Sequence, residues 1–306
     1  MDLVRDPRKN EQPVMQVRCK NGISYLTFPK LDACEIVRHL FTTREGGMST
    51  GQFRSMNFSV SLGDDRENVL ENYRRVAGLL GCDASDVTGT VQTHTTNIRR
   101  VEECDRGKVA VKAPDYGDVD GLVTNVPGIA LAAFTADCVP IFFVDPVRKA
   151  IGLAHSGWRG TVSNMAGKMV KRMEEEFGTK KEDLICAIGP SICRNCYEVD
   201  ETVAAPFREL LGDITGELMA IDAANAYPVR ENGRFRKVLE DGKAEGKYQL
   251  DLWLANLILL VRAGVLPERV DVTDLCTADN KEVLFSHRAS QGKRGNLGAF
   301  LMLKDE

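Results

Sequence analysis

Short apolar runs separated by turn residues recur along the chain from Ile23 to Leu303. They are densest between Val119 and His155, where residues 129–134, 139–144 and 150–154 predict three strands joined by turns over 135–138 and 145–149. After Gly157-Trp158-Arg159-Gly160 the period changes. Val162, Met165, Ala166, Met169, Val170, Met173 and Phe177 recur at helical spacing and Gly178 closes the run, which predicts an amphipathic helix. A second helix is expected over 201–211 with Asp200 as its cap, and a third from about 250 through Arg262 to Gly264. Strands alternate with helices without a strict βαβ rhythm, and Rossmann and P-loop fingerprints are absent. The pattern predicts an α+β fold of mixed sheets layered with helices. Without a Ser/Gly/Pro-rich linker or a repeat, residues 1–306 read as a single domain, with 1–20 as an amino-terminal extension or edge segment.

Composition narrows the partners. The apolar fraction of 43% is enough for a continuous core, and a formal charge of −4 with scattered charges leaves no basic stripe for nucleic acid. A small-molecule substrate fits better. Residues 1–12 are too polar for a signal peptide, and no apolar run is long enough to span a bilayer, so a cytoplasmic protein, monomeric or homodimeric, is expected. Nine cysteines (19, 34, 82, 104, 138, 186, 193, 196 and 276) are an odd number for a disulfide framework, so each reads as core filler, ligand or nucleophile.

Four histidines occur, at 39, 94, 155 and 287. His94 ends the extended run Thr90-Val91-Gln92-Thr93, His155 ends an apolar strand, and Cys138 follows Thr135-Ala136-Asp137. Two imidazoles and a thiolate suit a zinc site that keeps its fourth position open. Taken singly, each reads more readily as a core residue than as a ligand, because no tight ligand spacing links them. Cys193-Arg194-Asn195-Cys196 has the spacing of a redox pair or half a zinc site; with no second cysteine pair at a complementary distance it reads as structural. Met165, Met169 and Met173 read as core.

Several segments in order resemble the laccase-domain family, also called the multicopper polyphenol oxidase or purine nucleoside phosphorylase and adenosine deaminase family. They are Phe41-Thr42-Thr43-Arg44-Glu45-Gly46-Gly47, Thr90 to His94, Asp120-Gly121-Leu122-Val123-Thr124-Asn125, Thr135 to Pro140, Ala154 to Gly160, Ile188-Gly189-Pro190-Ser191-Ile192, Leu250-Asp251-Leu252-Trp253, Cys276-Thr277 and Phe285-Ser286-His287-Arg288. The resemblance implies a compact layered α/β domain, a fold also associated with cytotoxic necrotizing factor. It further implies zinc held by His94, Cys138 and His155, phosphorolysis of adenosine, inosine and methylthioadenosine to free base and ribose 1-phosphate, and deamination of adenosine. The chain departs from the family pattern at His287-Arg288-Ala289 and at Gly295-Asn296.

Phosphorolysis calls for an arginine beside the metal. Arg159, expected just before a helix, and Arg44, in a Gly-rich turn, are the candidates; the bland alternatives are stacking on Trp158 and a solvated loop charge. Gln92 and Arg288 join them as candidate substrate contacts. Asp137, next to Cys138, is a candidate proton carrier or a turn former, and His287 a candidate relay. Two other chemistries compete. Cys138 with His155 as base would suit a hydrolase that edits cell-wall precursors. Copper would accept the same donors, but a laccase route demands roughly ten histidines.

Overall fold

In the strand Val139–Asp145, alternate residues serve different layers: Val139, Ile141 and Phe143 join one apolar cluster, Phe142 and Val144 another. Ala150–Ser156 divides the same way, with Ala150 and Ala154 on one face and Ile151 and Leu153 on the other. Burial on both faces explains why these segments read as continuous apolar runs. The structure, a computed structural model, describes residues 2–6, 13–224 and 226–305.

Two six-stranded mixed sheets form the centre. The first runs Gln16–Lys20, Ile23–Thr27, Val37–Thr42, Leu297–Leu303, Ala130–Thr135, Val87–Gly89. The second runs Val270–Val272, Ile185–Ile188, Val139–Asp145, Ala150–Ser156, Gly121–Thr124, Ile98–Arg100. They face each other through Leu26, Phe41, Leu131, Phe142, Leu153 and Leu301. Helix Arg66–Leu80 covers the outer face of the first sheet, setting Tyr73, Val76 and Leu80 against Ala132 and Phe300. Helices Met165–Phe177 and Leu252–Arg262 cover the second. The result is a helix–sheet–sheet–helix stack of the α+β class.

The predicted strands occur as Ala130–Thr135, Val139–Asp145 and Ala150–Ser156. Asp200 caps Glu201–Leu211 by accepting from Thr202 N at 3.1 Å, and Asp251 caps Leu252–Arg262 through Leu254 N at 2.9 Å. One helix differs. Val162 ends a separate short helix, Trp158–Val162, and the long one starts at Met165 after Asn164 enters the left-handed region at φ 58°. The methionine face of that long helix lies close on the second sheet, and a Cβ added to Gly152 would stand 2.8 Å from Met169 Cε. Within the expected amino-terminal segment, Gln16–Lys20 is an exposed edge strand, while residues 1 and 7–12 lie outside the described residues. No described helix is long and apolar enough to cross a membrane.

Candidate metal and catalytic centre

The antiparallel register pairs Pro140 with His155 and Val139 with Ser156, so Cys138, one residue before its strand, lies beside the end of the His155 strand. His94 comes from the loop between Val87–Gly89 and Ile98–Arg100 and holds a left-handed backbone at φ 64°. Asp120 fixes both histidines. Its carboxylate accepts from the backbone N–H groups of Thr93 (3.0 Å), His94 (3.1 Å) and Thr95 (3.0 Å), and from His155 Nδ1 at 2.8 Å. His155 therefore presents Nε2 to the centre. A ligand atom from each of His94, Cys138 and His155 lies within 4.8 Å of the others, with Cys138 Sγ 3.8 Å from His94 Nε2.

Bonds of a tetrahedral zinc ion would place such atoms about 3.4–3.8 Å apart, so the donor set fits a metal after a small contraction, with one position left over. Gly157 makes room for it: a Cβ there would stand 2.9 Å from Cys138 Sγ and 3.0 Å from His94 Cδ2.

Electrostatics point the same way. Burial would raise the Cys138 thiol, but the charge and hydrogen bond of His155, with the hydrogen bond of His94, outweigh it and bring the thiol down to about 6. Burial would lower His155, yet Cys138 and Asp120 push it up to about 9. Burial opposes ionisation of Asp120 as well, while His155 and the N–H groups of Thr93 and Thr95 hold its carboxyl below the ordinary range. Without a metal, the trio is a thiolate–imidazolium pair oriented by a buried carboxylate.

The three donors open onto a cavity of about 590 Å³. Phe58, Tyr73 and Phe134 supply aromatic wall, and Arg66, Lys112 and Arg294 supply positive charge. No Asp or Glu stands among its described lining residues. Among the basic lining residues, Arg294 feels the charge of Cys138. Burial holds its guanidinium below the ordinary range against the opposing charges of Asp137 and Cys138, and its Nε is buried without a hydrogen-bond partner.

The remaining candidates divide between contacts with the cavity and the structural alternatives that the sequence also offered. Gln92 lines the cavity, but its amide is committed: Oε1 accepts from Phe134 N (2.7 Å) and Thr90 Oγ1 (2.6 Å), and Nε2 donates to Phe134 O (2.6 Å). Arg44 stacks on Phe285 and donates to the carbonyls of Arg54 and Lys281, away from the cavity, so it braces a loop. Arg159 lies inside the short helix Trp158–Val162 and not at the start of the long one, with its guanidinium 4.3 Å from the Trp158 ring centroid. Arg288 stacks on Tyr197 and donates to Glu198 O at 3.0 Å. Burial and the Cys138 charge raise the Tyr197 phenol, and Arg288 and Arg159 oppose that rise. Asp137, at φ 89°, accepts from Thr277 Oγ1 (2.6 Å) and Arg288 N (2.7 Å), which makes it a turn former with no carboxylate oxygen lacking a partner. His287 is exposed and does not line the cavity.

Sequence reasoning missed Asp120, Gly157 and Arg294 as parts of the site. Asp120 and Gly157 lie in segments that carried the resemblance, but their roles depend on contacts across strands. Arg294 had only its Gly-flanked loop as a signal.

Residues 38–304 match the family described as multi-copper polyphenol oxidoreductase laccase. The chain is 34% identical over 271 residues to "Purine nucleoside phosphorylase YlmD" of Bacillus subtilis, covering 87% of this chain and 88% of that protein. Among solved structures it resembles YlmD from Geobacillus stearothermophilus, with a TM-score of 0.82 at 33% identity, covering 96% of this chain and 100% of that one. It also resembles the Bacillus licheniformis hypothetical protein YfiH, with a TM-score of 0.81 at 33% identity over 94% of this chain and 99% of that one.

Proposed function

From the premise that the chain belongs to the laccase-domain family, we propose that it is a purine nucleoside phosphorylase that cleaves adenosine, inosine and methylthioadenosine to free base and ribose 1-phosphate. One observation carries the reading: the cavity over His94, Cys138 and His155 combines aromatic wall with three basic side chains and lacks acidic lining among the described residues. Such a pocket suits a flat apolar ring together with an anion.

The residues divide the work. Phe58, Tyr73 and Phe134 take the purine, and Arg294 takes phosphate. A phosphate oxygen bonds to the anomeric carbon as the C–N bond breaks, and the departing electron pair goes to the purine ring. Asp120 keeps the His155 proton on Nδ1 and locks the His94 loop. His94, Cys138 and His155 would hold the metal, for which we propose zinc; when bound it supplies Lewis-acid stabilisation of negative charge beside the phosphate. Deamination of adenosine is proposed as a second outcome in the same cavity.

A second reading has its own support. The lowered Cys138 thiol, with His155 and Asp120 in line, is also the arrangement of a nucleophilic hydrolase acting on a cell-wall precursor. Metal-quantified protein assayed on adenosine and inosine, with and without phosphate, separates the two. Phosphate-dependent base release that disappears on chelation and in Cys138→Ala is the expected result. Absence of nucleoside turnover by folded, zinc-loaded protein would sink the phosphorylase reading, and precursor hydrolysis that survives chelation would establish the nucleophile.

A further inference from the structure

Cys193 and Cys196 have the spacing of half a metal site, and the fold supplies the other half from a distant part of the chain. Cys276 and Asp279 share the same two-residue spacing, and their ligand atoms join those of Cys193 and Cys196 within 4.8 Å of one another. We propose that Cys193, Cys196, Cys276 and Asp279 form a second metal site, closed by four protein ligands, which takes a thiophilic divalent cation of the zinc type and braces the turn that carries Asp137.

The geometry suits a single ion. Thiolates around tetrahedral zinc lie about 3.8 Å apart, whereas an iron–sulfur cluster keeps its thiolates outside a larger core. One carboxylate spans two of the thiols: Cys196 Sγ lies 3.1 Å from Asp279 Oδ1 and Cys193 Sγ lies 3.6 Å from Asp279 Oδ2. Those thiol protons stand where a cation would bridge the same atoms. The Cys193 N–H donates to Cys276 Sγ at 3.3 Å, the kind of backbone contact that tempers thiolate charge in a metal site. The Cys193–Cys196 segment closes a tight turn through Cys196 N to Cys193 O at 3.1 Å, which directs both sulfurs to one side. Arg194, inside the motif, does not neutralise the cluster, because its guanidinium is paired with Glu231 (3.0 Å) and Glu240 (2.9 Å). Cys276 and Cys193 are buried, while half-buried Cys196 and exposed Asp279 leave a way in.

Binding converts three thiols and one carboxylate into ligands and releases the three thiol protons. The consequence reaches the first centre through Thr277, between two of the ligands. Its hydroxyl donates to Asp137 Oδ1 at 2.6 Å, and its N–H donates to Ser191 O at 3.1 Å. Asp137 in turn precedes Cys138. An ion that pins residues 276–279 therefore pins the left-handed residue that aims the first-site thiol.

Zinc quantification on full-length protein, purified anaerobically without chelator, tests the proposal. Wild type is expected to carry two zinc ions per chain, and both His94→Ala/His155→Ala and Cys196→Ser/Asp279→Asn to carry one. Because a cysteine variant can fail to fold, a second measurement uses the His94→Ala/His155→Ala protein loaded with cobalt. It should show strong sulfur-to-cobalt charge-transfer absorption, reduced by Asp279→Asn alone. Absence of that absorption in folded protein overturns the second site, and so does a disulfide linking Cys193 to Cys196 or Cys276 in the anaerobic preparation.

Discussion

Because Asp120 binds His155 Nδ1, the imidazole faces Cys138 with Nε2, and in metal-free protein the proton resides on the ring instead of the sulfur. The depressed thiol pKa contributes stability that is lost as pH falls through about 6, and the raised imidazole pKa contributes stability that is lost as pH rises through about 9. Between those limits a proton has only moved from one partner to the other, so the pair should register in reactivity and hardly in the stability–pH curve. Alkylation of Cys138 in chelator-treated protein, resolved by mass spectrometry, should titrate with a midpoint near 6 and move upward in His155→Ala. A wild-type midpoint at the ordinary thiol value would contradict the pairing. Asp120→Asn tests the support of both histidines. An amide NH₂ would face the N–H donors of Thr93 and Thr95, so zinc affinity should fall roughly 10–100-fold with the fold retained. Competition against a chromophoric chelator measures it, and an unchanged affinity would remove Asp120 from the site.

At the scale of elements, the sequence revealed what periodicity encodes and concealed what single residues interrupt. The strands at 130–135, 139–145 and 150–156 were legible because burial on both faces leaves a continuous apolar run. Val87–Gly89 and Ile98–Arg100 are only three residues long and carry no period. The break between Val162 and Met165 was concealed because both residues keep the helical spacing. Asn164 makes that break with its left-handed backbone, and its side chain accepts from Gly167 N at 3.1 Å to start the long helix. Asn164→Ala should therefore lose the cap and strain the backbone, costing about 2–3 kcal/mol, while Asn164→Gly should cost well under half of that. Urea unfolding of the two variants gives the comparison, and equal losses would mean that the positive φ contributes nothing. The same segment explains the misplaced Arg159, since a helix start was expected where the short Trp158–Val162 helix already stands.

Across the whole molecule, the strand Leu297–Leu303 lies between Val37–Thr42 and Ala130–Thr135, so Phe300 pairs with Leu40 on one side and Ala132 on the other. Pairings so distant in sequence leave no local trace, which is why His94, Cys138 and His155 were legible only through several motifs read together, and Arg294, delivered by the loop before this strand, was not. The strand also joins stability to the cavity wall. Phe300 is fully buried and meets Phe58 edge-on at 5.2 Å, and Phe58 in turn contacts Tyr73 at 5.2 Å and Phe134 at 6.3 Å. These three rings line the cavity, whereas Cys138 and His155 are positioned by strands of the second sheet. Phe300→Ala should cost about 3–5 kcal/mol in urea unfolding. On the proposed function, the loosened aromatic wall should raise KM for the nucleoside in the fraction that remains folded, while zinc bound on loading the protein with the metal stays unchanged. A loss of zinc in step with the loss of stability would show that the two sheets do not hold wall and ligands separately, and that the first sheet positions the metal centre as well.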